Sequence, residues 1–180
     1  MESKAVKHLA IINKNDEYGT PLSLFLDACK KFHCKPQIDY FASESNHVCY
    51  EYFTKDDDAF SRKFDSNGFI NPPYSMIGKV MQKAYEEHMT YNVELMILAY
   101  AKTDTQWWHK YVENKAEVHF VKGRIKFLDA KGKPTKLPAP YPSVWIIYRR
   151  KKLLTVPDDI EFTVPMQTMF PNFRKYRQGK

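Results

Sequence analysis

The chain has 180 residues, of which 43% are hydrophobic and 27% are charged, and this balance indicates one globular domain with its own core rather than a disordered chain. Basic residues outnumber acidic residues by 28 to 21, and the net charge of +7 fits a polyanionic partner without requiring one. No apolar run reaches the roughly 18 residues of a membrane span, and the amino terminus leads into no signal-peptide core. We therefore expect a cytoplasmic protein.

The three cysteines are too few for a disulfide framework and are expected to be reduced. Cys29, Cys34 and Cys49 lie near His33 and His47 in the sequence, which raises a zinc site as an alternative. Their spacing matches no Cys-x-x-Cys pattern, and so we expect no metal.

Three segments are predicted along the chain. Residues 1–15 form a polar and basic N-terminal arm, residues 16–150 form the folded domain, and residues 151–180 form a basic C-terminal extension packed on the domain or trailing from it. We find no internal repeat. The sequence does not set the oligomeric state, and a monomer is the simpler expectation.

The first predicted helix covers residues 22–32, where apolar side chains recur at helical spacing. Thr20 is a natural N-cap and Pro21 is a natural first helical residue. A purely structural role therefore accounts for both residues from the local pattern alone.

Residues 36–43 are predicted to form a short strand that runs into a tight turn of small residues. Asp39 ends the strand and Ala42 follows it, which suits a bound nucleoside because the backbone can come close while the acid stays at the rim. The absence of phosphate-loop glycines favours a nucleoside cofactor without a pyrophosphate. The alternative is that Asp39 only caps a turn.

A second short strand is predicted over residues 50–58, and it ends in three acids of which Asp58 is the last. One interpretation is that these are solvated acids of a turn. The other is that such an acid accepts hydrogen bonds from ribose hydroxyls or from an adenine amine.

The next predicted strand, residues 68–71, stops at two consecutive prolines. A strand cannot continue through a residue without an N–H group, and Pro73 biases Pro72 toward an extended shape. The side-chain oxygen of Asn71 and the carbonyl of Pro72 could accept the two N–H bonds of a planar amine, while Tyr74 stacks on its face. The alternative is that Asn-Pro-Pro-Tyr is only a turn.

The remaining elements follow from the hydrophobic pattern. Residues 93–99 should form a central strand because they are the most hydrophobic stretch. The pattern also predicts a helix behind the two prolines, a helix capped by residues 103–105, a strand over residues 117–127 with a kink at Gly123, and a strand over residues 143–148.

A basic loop is predicted to follow residue 127, rigid and exposed because it holds four prolines and three lysines. Phosphate contacts are one role for its cations and for those just before it, and solvated lysines are the alternative. The residues are Lys122, Arg124, Lys126, Lys131, Lys133 and Lys136.

Six stretches of the chain carry a resemblance to a known family, and they are Tyr18-Gly19-Thr20-Pro21, Ile38-Asp39-Tyr40-Phe41-Ala42-Ser43, Tyr52-Phe53 with Asp58, Asn71-Pro72-Pro73-Tyr74-Ser75, Thr103-Asp104-Thr105-Gln106-Trp107-Trp108-His109 and Gly123-Arg124-Ile125-Lys126-Phe127. In this order and at similar spacing they resemble the phage-type, Dam-like DNA N6-adenine methyltransferases. The similarity covers about residues 16–149. Asn-Pro-Pro-Tyr alone is shared with many amino-methyltransferases, including those that act on glutamine, whereas the ordered set is more specific.

The resemblance implies an α/β domain with a Rossmann-like, S-adenosylmethionine-dependent methyltransferase fold. Its sheet would be mostly parallel and seven-stranded, with an antiparallel last hairpin. The activity implied is methyl transfer to N6 of adenine in DNA after the base is flipped out of the duplex. Carried over by position, the catalytic residues would be Asn71, Pro72, Pro73 and Tyr74, and the cofactor would be held by Thr20, Pro21, Asp39, Phe41, Ala42 and Asp58.

Two positions differ from the family pattern. Bulky Tyr40 and Phe41 stand where the first-strand motif tends to read Asp-Val-Ala-Ala-Ser. Residues 100–102 read Tyr-Ala-Lys where the family tends to have Pro-Ala-Arg. No segment is large enough to be a separate target-recognition region, so sequence specificity is expected to be short, loose or borrowed.

Two other function classes stay open from the sequence. The first is a methyltransferase that acts on a protein amide or on RNA, and the positive charge and the basic loop argue mildly against the protein amide. The second is a nucleic-acid-binding module that keeps the methyltransferase fold without the cofactor. Calorimetry with S-adenosylmethionine separates that module from both enzymes.

Overall fold

Six strands form one sheet at the centre of the computed structural model, which describes residues 18–151. In chain order they are β1 (Ile38–Asp39), β2 (Glu51–Tyr52), β3 (Gly68–Ile70), β4 (Leu95–Tyr100), β5 (Glu117–Phe120) and β6 (Ser143–Tyr148). Across the sheet their order is β2-β1-β3-β4-β6-β5. The pairs among β1 to β4 are parallel, whereas β6 is antiparallel to both β4 and β5.

The strand predicted to be central from its hydrophobicity is central. All residues of β4 are buried, and the strand lies between β3 and β6. A strand that is covered on both faces needs apolar side chains at every position rather than at alternate ones. The run Leu-Met-Ile-Leu-Ala-Tyr meets that need.

Helices and a loop cover the two faces of the sheet. The helices are α1 (Leu22–Phe32), α2 (Ile77–Tyr91) and α3 (Gln106–Tyr111). Because successive strand side chains point to opposite faces, the core is divided into two layers. Helices α2 and α3 supply Val80, Met81 and Trp108 to one layer. The other layer receives Phe25 from α1 and Phe127 from the loop that joins β5 to β6.

The predicted number of strands is corrected from seven to six within residues 18–151. The strand predicted over residues 50–58 is shorter than expected and ends at Tyr52. The chain turns after it, because Thr54 donates its N–H and its hydroxyl to the Asp57 carboxylate, each at 2.9 Å. This capping box closes a short 3-10 helix over Lys55–Asp57. Asp58 then takes a left-handed conformation with φ of 47°, and the chain leaves the edge of the sheet.

The strand predicted over residues 117–127 is also shorter than expected. It ends at Phe120, whose partner Val144 lies one residue from the start of β6. Beyond that point Pro142 has no N–H to donate to a ladder, and Gly123 turns the chain with φ of 82°. The segment that follows is a loop whose Ile125 side chain is buried.

The predicted N-terminal arm and all but the first residue of the predicted C-terminal extension lie outside the described residues. Within residues 18–151, no helix combines the length and the apolar character needed to cross a membrane.

Candidate active site

The side-chain amide of Asn71 is fixed in one orientation at the end of β3. Its Nδ2 atom donates a hydrogen bond of 2.8 Å to the backbone carbonyl of Tyr18. The other end of the amide, Oδ1, is buried and has no hydrogen-bond partner within residues 18–151. A buried acceptor without a partner costs free energy, and such atoms concentrate where a ligand completes the bond.

The two prolines after Asn71 leave a second acceptor outside the sheet. The carbonyl of Pro72 accepts no backbone N–H from residues 18–151. The carbonyl of Pro73 accepts the N–H of Met76 at 2.9 Å, and this bond starts a 3-10 turn that leads directly into α2. The strand therefore stops at Ile70, one residue before the predicted end at Asn71.

The ring of Tyr74 stacks on Tyr100, the last residue of β4. The ring centroids are 3.8 Å apart and the planes differ by 3°. β3 and β4 are adjacent parallel strands, and so their carboxyl ends bring these two rings together. One face of Tyr74 is thus covered by a neighbouring aromatic ring.

A cavity of about 660 Å³ opens beside Asn71 at this end of the sheet. Five of the residues predicted for catalysis or cofactor binding line it, and they are Phe41, Ala42, Asp58, Asn71 and Pro73. Its volume lies within the roughly 300–1,000 Å³ of pockets that hold small molecules. The predicted residues outside its lining are Thr20, Pro21, Asp39, Pro72 and Tyr74.

Asp39 lies behind the cavity and supports the segment that forms part of its wall. The side chain is buried, and its two carboxylate oxygens accept the N–H groups of Val48 at 3.2 Å and of Phe41 at 3.4 Å. Burial raises the pKa of Asp39 to about 7, although the two N–H groups act in the opposite direction. The carboxyl thus ties down the turn from which Phe41 and Ala42 reach the cavity.

Thr20 does not cap α1, contrary to the prediction. The N-cap position is occupied by Pro21 with ψ of 126°, and no side chain caps the helix. Thr20 is buried, and its hydroxyl finds no hydrogen-bond partner among the described residues. The structural role that the pattern suggested for this hydroxyl is therefore absent.

A sequence profile of the family described as DNA N-6-adenine-methyltransferase (Dam) matches residues 9–166. The chain belongs to the Dam family. A DNA N-6-adenine-methyltransferase of Escherichia phage T1 is 30% identical over 93 residues, which are 51% of this chain and 39% of that protein. The chain thus covers well under two thirds of that relative's length. No solved structure matches the chain.

The first departure from the Dam pattern, at Tyr40 and Phe41, places the Tyr40 side chain in the core. Tyr40 is buried, with its ring stacked 3.9 Å from the ring of Phe64 and its hydroxyl donating to the carbonyl of Ser66 at 2.9 Å. Gly68 makes room for it, because a Cβ atom there would lie 2.2 Å from the Tyr40 ring. Tyr40 and Phe41 both line the cavity.

The second departure, at residues 100–102, places Tyr100 between two other aromatic rings, those of Tyr74 and Tyr141. The ring centroid of Tyr141 is 5.4 Å away from that of Tyr100. Lys102 places its Nζ atom 4.5 Å from the centroid of Tyr141, within cation–π range. Where the Dam pattern tends to have Pro-Ala-Arg, this chain therefore keeps a cation, and the cation lies against Tyr141, whose ring is tilted by 56° from that of Tyr100.

All six predicted DNA-contacting cations are exposed, and all lie on the loop between β5 and β6. Within the loop, Asp129 accepts the backbone N–H groups of Lys131 and Lys133, each at 2.9 Å. Leu128 pairs with Gly19, which brings the loop beside the segment that holds Asn71. The segment of Tyr18 and Gly19 therefore contacts both the basic loop, through Leu128, and the cavity residue Asn71.

Three residues of this site were missed by sequence reasoning as site residues. Tyr18 lies in the first stretch of the Dam pattern, which was the only signal for it. Tyr100, which stacks on Tyr74, lies in the stretch of residues 100–102 that departs from the Dam pattern, and that departure was its only signal. Asn46, which lines the cavity, has no local signal.

The three cysteines are separate, and each is part of the packing. Burial raises the pKa of Cys29 to about 11 and of Cys34 and Cys49 to about 12, which keeps the thiols protonated. Within the described residues, no group of three or more His, Cys, Asp or Glu side chains could hold a metal ion.

Proposed function

We propose that this protein transfers a methyl group from S-adenosylmethionine to the exocyclic amine, N6, of adenine in DNA. The observation that carries the proposal is the Asn71 amide: its nitrogen is engaged by Tyr18, and its buried oxygen faces no partner beside a ligand-sized cavity. Membership of the Dam family and the name of the phage T1 relative supply the reaction and the substrate.

Asn71 and Pro72 prepare the amine for attack. The lone pair of an adenine amine is conjugated with the ring, so the nitrogen is a poor nucleophile. Two acceptors, Asn71 Oδ1 and the Pro72 carbonyl, would hold its two hydrogens, favour a pyramidal nitrogen and stabilise the positive charge that develops there. Neither group has to reorganise, because one is fixed by Tyr18 and the other by two rigid prolines.

The base would be held by an aromatic ring. To reach the site, adenine must leave the duplex stack, and Tyr74 would stack on the flipped base. The stack with Tyr100 would hold the Tyr74 ring in one orientation, and a fixed ring limits the positions that the base and its amine can take. Holding the reacting atoms in line supplies a large share of the acceleration in such transfers.

The cavity fits a nucleoside cofactor in size and in lining. Phe41 offers an aromatic face, Ala42 a close approach to the backbone, and Asp58 an exposed carboxylate for hydroxyl or amine groups. Thr20 and Pro21 would hold the methionine end, and Asp39 would act through the turn that it ties down. S-adenosylmethionine, when bound, supplies an electrophilic methyl group on its sulfonium.

The loop between β5 and β6 would contact the DNA backbone. Exposed lysines and arginines bind phosphates without reading sequence, so their contacts would set the position of the duplex. The proposed contacts are Lys122, Arg124, Lys126, Lys131, Lys133 and Lys136.

The test is a transfer assay with methyl-labelled cofactor and three separate acceptors: duplex DNA, RNA, and a protein lysate. We expect label in DNA, and nucleoside digestion should place it in N6-methyladenine. Label only in RNA or only in protein would replace the proposed substrate. No label anywhere, together with no calorimetric binding of S-adenosylmethionine, would leave a nucleic-acid-binding module.

A further inference from the structure

The segment of residues 18–20 contacts both halves of the proposed machinery. Its first carbonyl, that of Tyr18, accepts the Asn71 amide. Its second residue, Gly19, pairs with Leu128 in both directions, through Gly19 N–H to Leu128 O at 2.9 Å and Leu128 N–H to Gly19 O at 2.8 Å. Leu128 lies on the loop between the exposed cations Lys126 and Lys131.

The Tyr18 carbonyl decides which way the Asn71 amide faces. A carbonyl oxygen accepts only from a donor, so it holds Nδ2 and leaves Oδ1 on the other side. Without that hydrogen bond the amide could rotate and present two donors where an acceptor is needed. Two N–H donors facing an amine would repel it, and so the orientation matters more than the mere presence of the side chain.

Gly19 is enclosed on both sides, which fixes the position of the Tyr18 carbonyl. Leu128 is bonded to its backbone, and the Asn46 side chain lies against its α-carbon. A Cβ atom at position 19 would lie 2.5 Å from Asn46 Oδ1, closer than real contacts allow. The backbone of residues 18–20 thus has little freedom to shift while Leu128 stays paired.

We propose that Leu128 is a positioning residue for Asn71. Its backbone pairing with Gly19 holds the Tyr18 carbonyl in the place where that carbonyl orients the amide. The segment of Tyr18 and Gly19 then connects the basic loop to the Asn71 side chain that faces the target amine. The catalytic consequence rests on the proposed function, whereas the placement of the amide does not.

The direct test follows the Asn71 side-chain NH₂ signals by NMR in the full-length, ¹⁵N-labelled protein without cofactor or DNA. Asn71→Asp identifies the signals by removing them. Leu128→Pro deletes the N–H that bonds Gly19. Leu137→Pro is the matched control, because Leu137 is exposed on the same loop and its N–H enters no backbone hydrogen bond among the described residues.

We expect the Asn71 NH₂ protons of the wild type to exchange slowly with water. Leu128→Pro should speed that exchange by about tenfold, as the loss of one hydrogen bond predicts. Leu137→Pro should leave it unchanged. Wild-type exchange rates in Leu128→Pro would overturn the proposal.

A second pair of variants covers the case in which Leu128→Pro does not fold. Gly19→Ala pushes its new Cβ against Asn46 and should move the Asn71 signals, whereas Gly19→Ala combined with Asn46→Ala removes the clash and should restore them. Gly78→Ala is the control, since a Cβ there meets nothing within 4 Å. Unmoved signals in Gly19→Ala, or no restoration in the double variant, would also reject the proposal.

Turnover measurements distinguish the proposed methyltransferase function from the proposed positioning role of Leu128. In Leu128→Pro, kcat for DNA methylation should fall by at least about tenfold while the Kd for DNA changes by less than about threefold. A wild type without methyltransferase activity would reject the proposed function and leave the NMR result standing. A displaced amide with unchanged kcat would reject the catalytic role of the Leu128 pairing alone.

Discussion

The rings of Tyr74 and Tyr100 lie parallel, 3.8 Å apart, at the ends of two adjacent strands. Tyr74 lies three residues after Asn71, and Tyr100 is nearly fully buried. The stack therefore connects the core of the protein to a residue proposed to hold the target base. An aromatic pair of this kind contributes about 0.5–1.5 kcal/mol beyond its buried area.

Replacing Tyr100 should weaken the hold on the base more than the hold on DNA. We expect Tyr100→Leu to lower kcat by about two- to tenfold, the equivalent of the stacking energy, and to reduce the fluorescence change of 2-aminopurine placed at the target position. Tyr100→Phe keeps the ring and should behave nearly as the wild type. Equal losses in the two variants would show that the hydroxyl, and not the stack, matters.

Asn71→Ala should abolish most of the activity without unfolding the protein. A preorganised group that stabilises developing charge is worth about 10²–10³ in rate, and its loss should appear in single-turnover experiments. The Kd for S-adenosylmethionine should stay close to the wild-type value, and removing the hydrogen bond to Tyr18 should cost only about 1 kcal/mol of stability. A variant that retains more than roughly a tenth of the rate contradicts the role assigned to Asn71.

The buried carboxyl of Asp39 predicts a specific pH dependence of stability. Burial raises its pKa to about 7, whereas an unfolded Asp titrates near 4. Between these values the folded protein holds a proton that the unfolded chain has released, so this carboxyl lowers the free energy of unfolding as pH rises from about 4 to about 7. Above pH 7 its contribution is level.

Asp39→Asn cannot ionise and should therefore gain stability relative to the wild type as pH rises. The gain between pH 5 and pH 8 should be no more than about 3 kcal/mol, because only the two pH units up to pH 7 contribute, and melting temperatures at the two pH values measure it. Asp57→Asn is a useful control, because the N–H and hydroxyl of Thr54 lower the pKa of that exposed carboxyl instead of raising it. A difference between Asp39→Asn and wild type that does not vary with pH would contradict the assignment.

Removing cations from the loop should weaken DNA binding in a salt-dependent way. Changing Lys131, Lys133 and Lys136 together to Ala should lower the slope of log K against log salt by about 0.9 for each phosphate that the variant no longer neutralises. Lys35→Ala is the control, because this exposed lysine precedes β1 and lies at the opposite end of the sheet from Asn71. A triple variant with the wild-type slope would remove these lysines from the interface.

Local patterns in the sequence were enough to predict the elements that position the site. The apolar spacing of residues 22–32 predicted α1, and the uninterrupted apolar run predicted β4. The two prolines predicted the end of β3 to within one residue, because a missing N–H is a property of the residue itself. Predictions of this kind succeed because each physical cause lies within a few residues.

The support of the site could not be predicted because its partners are far apart in the chain. Tyr18 and Asn71 are separated by 53 positions, and neither local sequence indicates that the two residues form a hydrogen bond. The prediction for Thr20 failed for a related reason: Pro21 itself took the cap position, leaving the Thr20 hydroxyl in a buried place that the pattern could not reveal.

The contact between Tyr40 and Gly68 predicts that the residue types at these two positions depend on each other in evolution. A Cβ atom on residue 68 would overlap the Tyr40 ring at 2.2 Å, so a lineage that carries a large ring on the first strand must keep a glycine on the third. Relatives with a small residue at the position of Tyr40 are released from that requirement. We therefore expect the two positions to change together among relatives, so that a large side chain at one position accompanies a small one at the other.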